Sequence, residues 1–250
     1  MKQKNKYGII ILAILSISFS ILLSSCTKTN TVYVPTTIHD TIVTIPPPPI
    51  DHNLDPLIDA NGNSYKVIKI NTQYWTVEDF KGTKYNDGTS INIVEDSAQW
   101  LVTGFPAMCH YDKDQSKTAL YNGFAVNTGK LAPKGWHVPT INDYNKLLSN
   151  APVGEEAIWI KSPTTEWIGD KDINNPNRNK LGFSLLPTGD RGPKAAFVNR
   201  GNWGLFWLST IYPVDNQYLE YALQGSVGSL YFAKQELMRA AMPVRFVKDN

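Results

Sequence analysis

Three lysines, Lys2, Lys4 and Lys6, precede an apolar run from Ile9 to Leu23 that ends in Leu23-Ser24-Ser25-Cys26, and this segment decides which part of the 250-residue chain has to fold. Basic residues, a short apolar stretch and small residues before a cleavage point are the layout of an export signal. The run is too short, and too interrupted by Ser16, Ser18 and Ser20, for a membrane-spanning helix, which needs about 20 predominantly apolar residues. Its last four residues fit a lipobox. The sequence therefore predicts cleavage after Ser25, a diacylglycerol on the Cys26 thiol and acylation of the freed amine. Two or more acyl chains hold a protein stably at a bilayer. Cys26 is thus the expected lipidation site, the membrane the first expected partner, and residues 1–25 a signal peptide outside the folded protein.

Removing the signal changes the charge. The whole chain carries a formal +2, but without Lys2, Lys4 and Lys6 it holds 21 basic and 22 acidic residues. A neutral chain with no basic stripe interleaved with aromatics gives no electrostatic footprint for nucleic acid. With Cys26 lipidated, Cys109 is the one remaining thiol, so no intramolecular disulfide can form. A disulfide-free domain in an oxidising compartment must stand on its hydrophobic core, and roughly 190 residues suffice for one.

Residues 26–56 read as a stalk. They are rich in threonine and contain Ile45-Pro46-Pro47-Pro48-Pro49-Ile50, a polyproline II signal extending about 3.1 Å per residue. The expectation is a disordered tether holding a single domain, residues 57–250, clear of the lipid surface. That domain opens with a turn cluster at Asp59-Ala60-Asn61-Gly62-Asn63 and a hairpin from the alternating Tyr65–Ile70 and Gln73–Val77. Strand-sized apolar runs recur at 100–102, 123–126, 183–186, 205–208, 218–223, 230–233 and 244–247, with a turn at Gly225–Gly228 between two of them. One helix is well marked. Thr140 and Asp143 form a capping box, and Ile141, Tyr144, Leu147 and Leu148 share a face. Ala157–Ile160 is a second short element. Solenoids and propellers are disfavoured, since no repeat shows at periods of 20 to 50 residues.

The ordered series of local motifs is the most specific feature. Asp59–Tyr65 leads into Gln73-Tyr74-Trp75-Thr76-Val77-Glu78-Asp79-Phe80, then Leu120–Val126, then Ala132-Pro133-Lys134-Gly135-Trp136-His137-Val138-Pro139-Thr140. Gly182-Phe183-Ser184-Leu185-Leu186-Pro187-Thr188-Gly189-Asp190-Arg191, Phe206–Thr210 and Pro243-Val244-Arg245-Phe246-Val247-Lys248 follow. Together these resemble the Fibrobacter succinogenes major paralogous domain over residues 59–248. The resemblance implies an exported, often lipid-anchored domain without an established enzymatic activity. It also implies an α+β, C-type-lectin-like fold, strand- and loop-rich, with one or two helices. The family often places cysteines where this chain has Ala132 and Phe246. If those cysteines pair, apolar packing between the loop before Trp136 and the last strand replaces the staple here.

Residues that could bind a ligand are few. Seven tryptophans lie in the folded part, most of them expected in its core. Trp167 and Trp203 are flanked by polar loops and are the two that could offer a face to a sugar ring. Asp170-Lys171-Asp172-Ile173-Asn174 alternates oxygen ligands as a calcium loop does, but no glycine holds the sixth position and Leu181 stands where a glutamate should close the loop. Asp170, Asp172 and Asn174 are therefore kept as ligand-binding candidates, with calcium a minor expectation, no other cofactor and no metal site. Cys109-His110 is expected to be an inert buried thiol beside an unrelated imidazole. His137 is expected to be structural, and His39 and His52 lack ligand-like neighbours. Arg191 and Arg245 are expected to pin loops rather than hold an anion.

No nucleophile elbow, phosphate loop or paired cysteines point to catalysis, so a non-enzymatic binding domain for a glycan or a protein is expected. The alternatives are an assembly component of an envelope complex or appendage, and an enzyme with an unrecognised site. Thr27-Lys28-Thr29-Asn30 carries neither an acidic retention signal nor an acidic export run. That favours the outer membrane and leaves its facing side open.

Overall fold

A computed structural model describes residues 54–212, 217–224, 230–234 and 238–249, all within the compact unit Pro46–Asn250. The signal segment, Cys26, the stalk and the turn at Gly225–Gly228 lie outside the described residues. In chain order come β1 (Leu57–Ile58), β2 (Ser64–Tyr65), β3 (Val67–Ile70), β4 (Gln73–Thr76), β5 (Asn92–Ile93), α1 (Ser97–Leu101), β6 (Ala107–His110), β7 (Ala119–Asn122) and α2 (Gly123–Asn127). Then follow α3 (Ile141–Leu148), α4 (Glu156–Ile160), β8 (Asp190–Arg191), β9 (Phe197–Val198), β10 (Trp203–Tyr212), β11 (Gln217–Gln224), β12 (Leu230–Lys234), β13 (Ala241–Met242) and β14 (Val247–Asp249). This is a strand-rich α+β domain.

The strands form a three-stranded sheet β14-β4-β3, a six-stranded sheet β5-β6-β7-β13-β8-β9, a three-stranded sheet β10-β11-β12 and the small pair β1-β2. The β3–β4 hairpin turns at Asn71, whose φ of 56° suits the left-handed position that a two-residue hairpin demands and asparagine tolerates. The C-terminal segment joins the sheets. β13 enters the six-stranded sheet beside β7, the Trp207 amide donates to Pro243 O and the Phe80 amide to Val244 O, and β14 pairs with β4. His137 and Val247 exchange both backbone hydrogen bonds, at 2.9 and 3.0 Å. Ala132 and Phe246 are both buried in one apolar cluster with Tyr65, Phe80, Tyr121 and Trp207. The segment around Trp136 thus meets the last strand through the His137–Val247 pair, and the two positions where the family resemblance suggested a staple both lie in this apolar cluster.

The capping box at Thr140 is present, with Thr140 Oγ1 accepting from the Asp143 amide and the Asp143 carboxylate accepting from the Thr140 amide. Four short α-helices stand among the described residues, more than the one or two expected. Two of the expected strands are helices. Residues 100–102 end α1, capped by Asp96, and residues 123–126 lie in α2, capped by Asn122. Residues 183–186 are not a strand either, because Ser184 turns left-handed (φ 55°) between buried Phe183 and Leu185. In the segment 244–247 the ladder begins only at Val247.

Arg245 is fully buried. Its Nε donates to Asp79 Oδ1 at 2.7 Å, its Nη groups donate to Phe183 O and Ser184 O, and its guanidinium lies 4.3 Å from the Phe183 ring centroid. Replacing it leaves Asp79 unpaired and two carbonyls without donors. Arg245→Leu is expected to lower unfolding free energy by about 3–5 kcal/mol, read from the urea midpoint.

Candidate functional site

Burial removes two of the five expected ligand-binding side chains, Trp167 and Asp170, from the surface. Trp167 is 3% exposed, its indole N–H donates to Ser162 Oγ at 3.1 Å, and Lys161 Nζ covers its ring at 4.7 Å. A Cβ on Gly204 of β10 would come within 2.7 Å of the Trp167 ring, so the strand needs glycine there for the indole to pack. Trp203 is half-buried against the main cluster. The tryptophan that reaches the surface alongside it is Trp136, under Lys248 Nζ at 5.1 Å.

Asp170 is likewise committed to the protein. Its Oδ1 accepts from Lys161 Nζ at 2.7 Å and from the Asp172 amide at 3.0 Å, and its Oδ2 accepts from Arg178 Nη1 at 2.5 Å. All three ionic side chains are at most 3% exposed. Burial pushes the Asp170 carboxyl up, but the Lys161, Asp172 and Arg178 donors outweigh it and hold it below its ordinary value. A cation would have to displace a lysine and an arginine. Asp172 is half-exposed and Asn174 exposed. No group of three or more histidine, cysteine, aspartate or glutamate side chains able to hold a metal ion occurs among the described residues.

Other polar residues of the motifs are structural. Asp59 accepts from the Asn61 and Asn63 amides, Asn63 Nδ2 and the Tyr65 hydroxyl, which closes the turn. Arg191 donates to Val94 O, Glu95 O and Ala195 O, with Trp100 on its face at 4.3 Å. His137 Nε2 lies 3.0 Å from Asp143 Oδ2, and Gln73 Nε2 donates to Asp143 Oδ1 at 2.8 Å. Burial raises the Asp143 carboxyl, yet the Thr140 hydroxyl and amide together with His137 hold it below its ordinary value. Cys109 is buried and unpaired, and burial pushes its thiol up to about 12. His110 turns away to Glu95, at 2.7 Å. No nucleophile and base meet there.

Three segments that are distant in sequence converge instead on an open cleft of about 380 Å³. Val77–Lys81, after β4, makes one side; Ser116–Ala119, entering β7, makes another; Ser184 and Leu186 make the third. Each side is anchored. Val77 N–H donates to Lys66 O, Lys81 N–H to the Tyr65 hydroxyl, and Glu78 Oε2 accepts from the Lys66 amide at 2.7 Å. Asp79 is held by Arg245, which also holds Ser184 O. Lys117 pairs with Asp112 at 3.1 Å. The rim therefore carries Glu78, Lys81 and Lys117 with the Ser116, Thr118 and Ser184 hydroxyls, above apolar Val77, Phe80, Ala119 and Leu186. The volume lies within the roughly 300–1,000 Å³ of small-molecule pockets. Sequence reading placed no binding residue here, because Glu78, Lys81 and Ser184 are unremarkable until the fold brings their segments together. A second hollow of about 470 Å³ lies between Tyr111, Asp112, Glu166, Ile168 and Arg200.

Fold and cleft define a mixed α+β domain with a shaped, electrically balanced surface hollow. Residues 68–248 match the family model of the Fibrobacter succinogenes major domain, and the chain belongs to that family. No curated protein and no solved structure matches the chain. β1 and β2 precede the matched region, but Leu57 and Tyr65 pack into the same core as Trp207 and Phe246.

Asp170→Asn strands two buried cations and is expected to cost about 3–5 kcal/mol by urea unfolding, whereas millimolar calcium leaves the melting temperature of the unaltered protein unchanged. The Asp143 carboxyl lies lower folded than unfolded. Its stabilisation is complete above the ordinary carboxylate range and is lost as pH falls through the lower folded value, so Asp143→Asn should flatten the acid limb of the stability profile.

Proposed function

We propose that this chain is a lipoprotein of the outer membrane, tethered through lipid on Cys26, whose folded domain binds a glycan and carries out no reaction. The cleft carries this reading: rim groups of both signs and several hydroxyls surround apolar side chains. A ligand with many hydroxyls and no net charge matches such a rim, since each hydroxyl can donate to Glu78 or accept from Lys81 while the ring faces meet the apolar part. Lys81 Nζ stands 5.9 Å from the Tyr65 ring centroid, which keeps its ammonium at the rim. The C-type-lectin-like reading of the fold belongs to this proposal. Pairing of the β3–β4 hairpin with the last strand, in a loop-rich domain with short helices, supports it.

A glycan array probed with residues 27–250 tests the reading. Binding to at least one glycan class is expected, weakened about tenfold or more by Lys81→Ala or Glu78→Ala. Silence across a broad array would sink the glycan reading. Separately, incorporation of labelled fatty acid into the full chain should vanish in Cys26→Ala.

A further inference from the structure

Four of the large apolar side chains most exposed among the described residues fall within one short stretch. Val102 is 81% exposed, Ile93 48%, Phe105 46% and Leu101 45%. Leu101 ends α1, and Val102 and Phe105 sit on the loop that follows it to β6. Ile93 adjoins it on the edge strand β5, where neighbouring Asn92 Nδ2 donates to Pro106 O.

The loop is held firmly with these side chains outward. The Trp100 indole beneath it donates to Arg239 O at 3.0 Å, and Arg239 Nη1 returns a hydrogen bond to Leu101 O. The Val102 amide donates to Gln99 O, the Thr103 amide to Trp100 O and the Thr103 hydroxyl to Gln99 O, while Phe105 O accepts from Asn122 Nδ2. These polar groups keep their partners when water leaves, so the tip can enter an apolar medium without the large cost of unpaired backbone. From Ser97 to Cys109 the sequence carries no charged residue, and the cation beside the loop is Arg239.

We propose that this loop docks into the lipid bilayer, with Val102 and Phe105 as its inserted side chains and Arg239 near the phosphate level. The choice of a bilayer over a protein partner rests on the lipid-anchored reading. Only 27 residues separate Cys26 from Leu54, and even fully extended they cannot carry the domain more than about 100 Å from its own anchor. A weakly inserting loop is then confined next to the surface it inserts into. The tether sets how far the domain reaches, and the loop gives it a second, releasable contact.

The test uses residues 27–250, which lack the lipid yet keep every described contact, so that failure of lipidation and failure of the loop are read apart. Flotation with vesicles of equal parts phosphatidylethanolamine and phosphatidylglycerol is expected to carry the protein upward. Val102→Asp and Phe105→Asp should each weaken partitioning about tenfold or more, and Val102→Leu should retain it. Val153→Asp, at a 98% exposed site elsewhere, should not change it. Absence of flotation would overturn the proposal, as would equal flotation of Val102→Asp. Self-association that Val102→Asp abolishes, without vesicle binding, would assign the patch to a protein interface and overturn it as well.

Discussion

A buried guanidinium that cannot lose its proton sets the terms for the rest of this structure. Arg245 occupies the point where the C-terminal segment crosses from the six-stranded sheet to the β3–β4 hairpin. It is bonded there to Asp79, Phe183 O and Ser184 O. Arginine stays charged at any pH a folded protein survives, so each partner must be in place before the site can close. Two of the cleft's three sides, Val77–Lys81 and Ser184 with Leu186, are fixed by the same side chain. The stability of the fold and the shape of the cleft are therefore one problem, solved by one residue.

The chain manages this without a cross-link in its folded part. Apolar burial stands in for it: Ala132 and Phe246 lie in the cluster that also takes Phe80 and Tyr121, whose rings stack at 5.0 Å. Two further polar arrangements divide the remaining work. Gln73, His137, Thr140 and Asp143 tie the α3 cap to β4, and Lys161, Asp170 and Arg178 tie α4 to the loop after Trp167. Such networks are weak sources of net stability, because desolvation offsets the attraction, but they penalise any packing that leaves a member unpaired. A loop-rich domain has many near-alternatives, and these networks select among them.

What the sequence made legible follows from the range of each interaction. The α3 cap, the β3–β4 hairpin and the Asp59 turn were readable because their signals lie within a few residues of one another. α1 and α2 were misread as strands because three or four apolar residues carry no period. Asp96 and Asn122 were the usable clues, each a capping side chain just ahead of the run. Trp167 looked exposed because its neighbours in sequence are polar, yet its burial is decided by Gly204, 37 positions away. The cleft was hidden for the same reason: Lys81, Ser116 and Ser184 carry no local motif chemistry.

The cleft and the apolar loop, if they serve the recognition and bilayer contact proposed for them, make different demands on one small domain, and the fold keeps them on different elements. The cleft draws on the segments after β4, before β7 and after Phe183, while the loop draws on α1 and the approach to β6. Both adjoin the six-stranded sheet, in which β6 pairs with β7 through buried Met108, Cys109, Leu120 and Tyr121. Interiors packed this closely transmit displacement rather than absorb it. A loop pressed into a bilayer through β6 would therefore bear on β7, and Ala119 at the start of β7 forms part of the cleft wall. On the proposed readings, attachment and recognition would then influence one another through a single pair of strands.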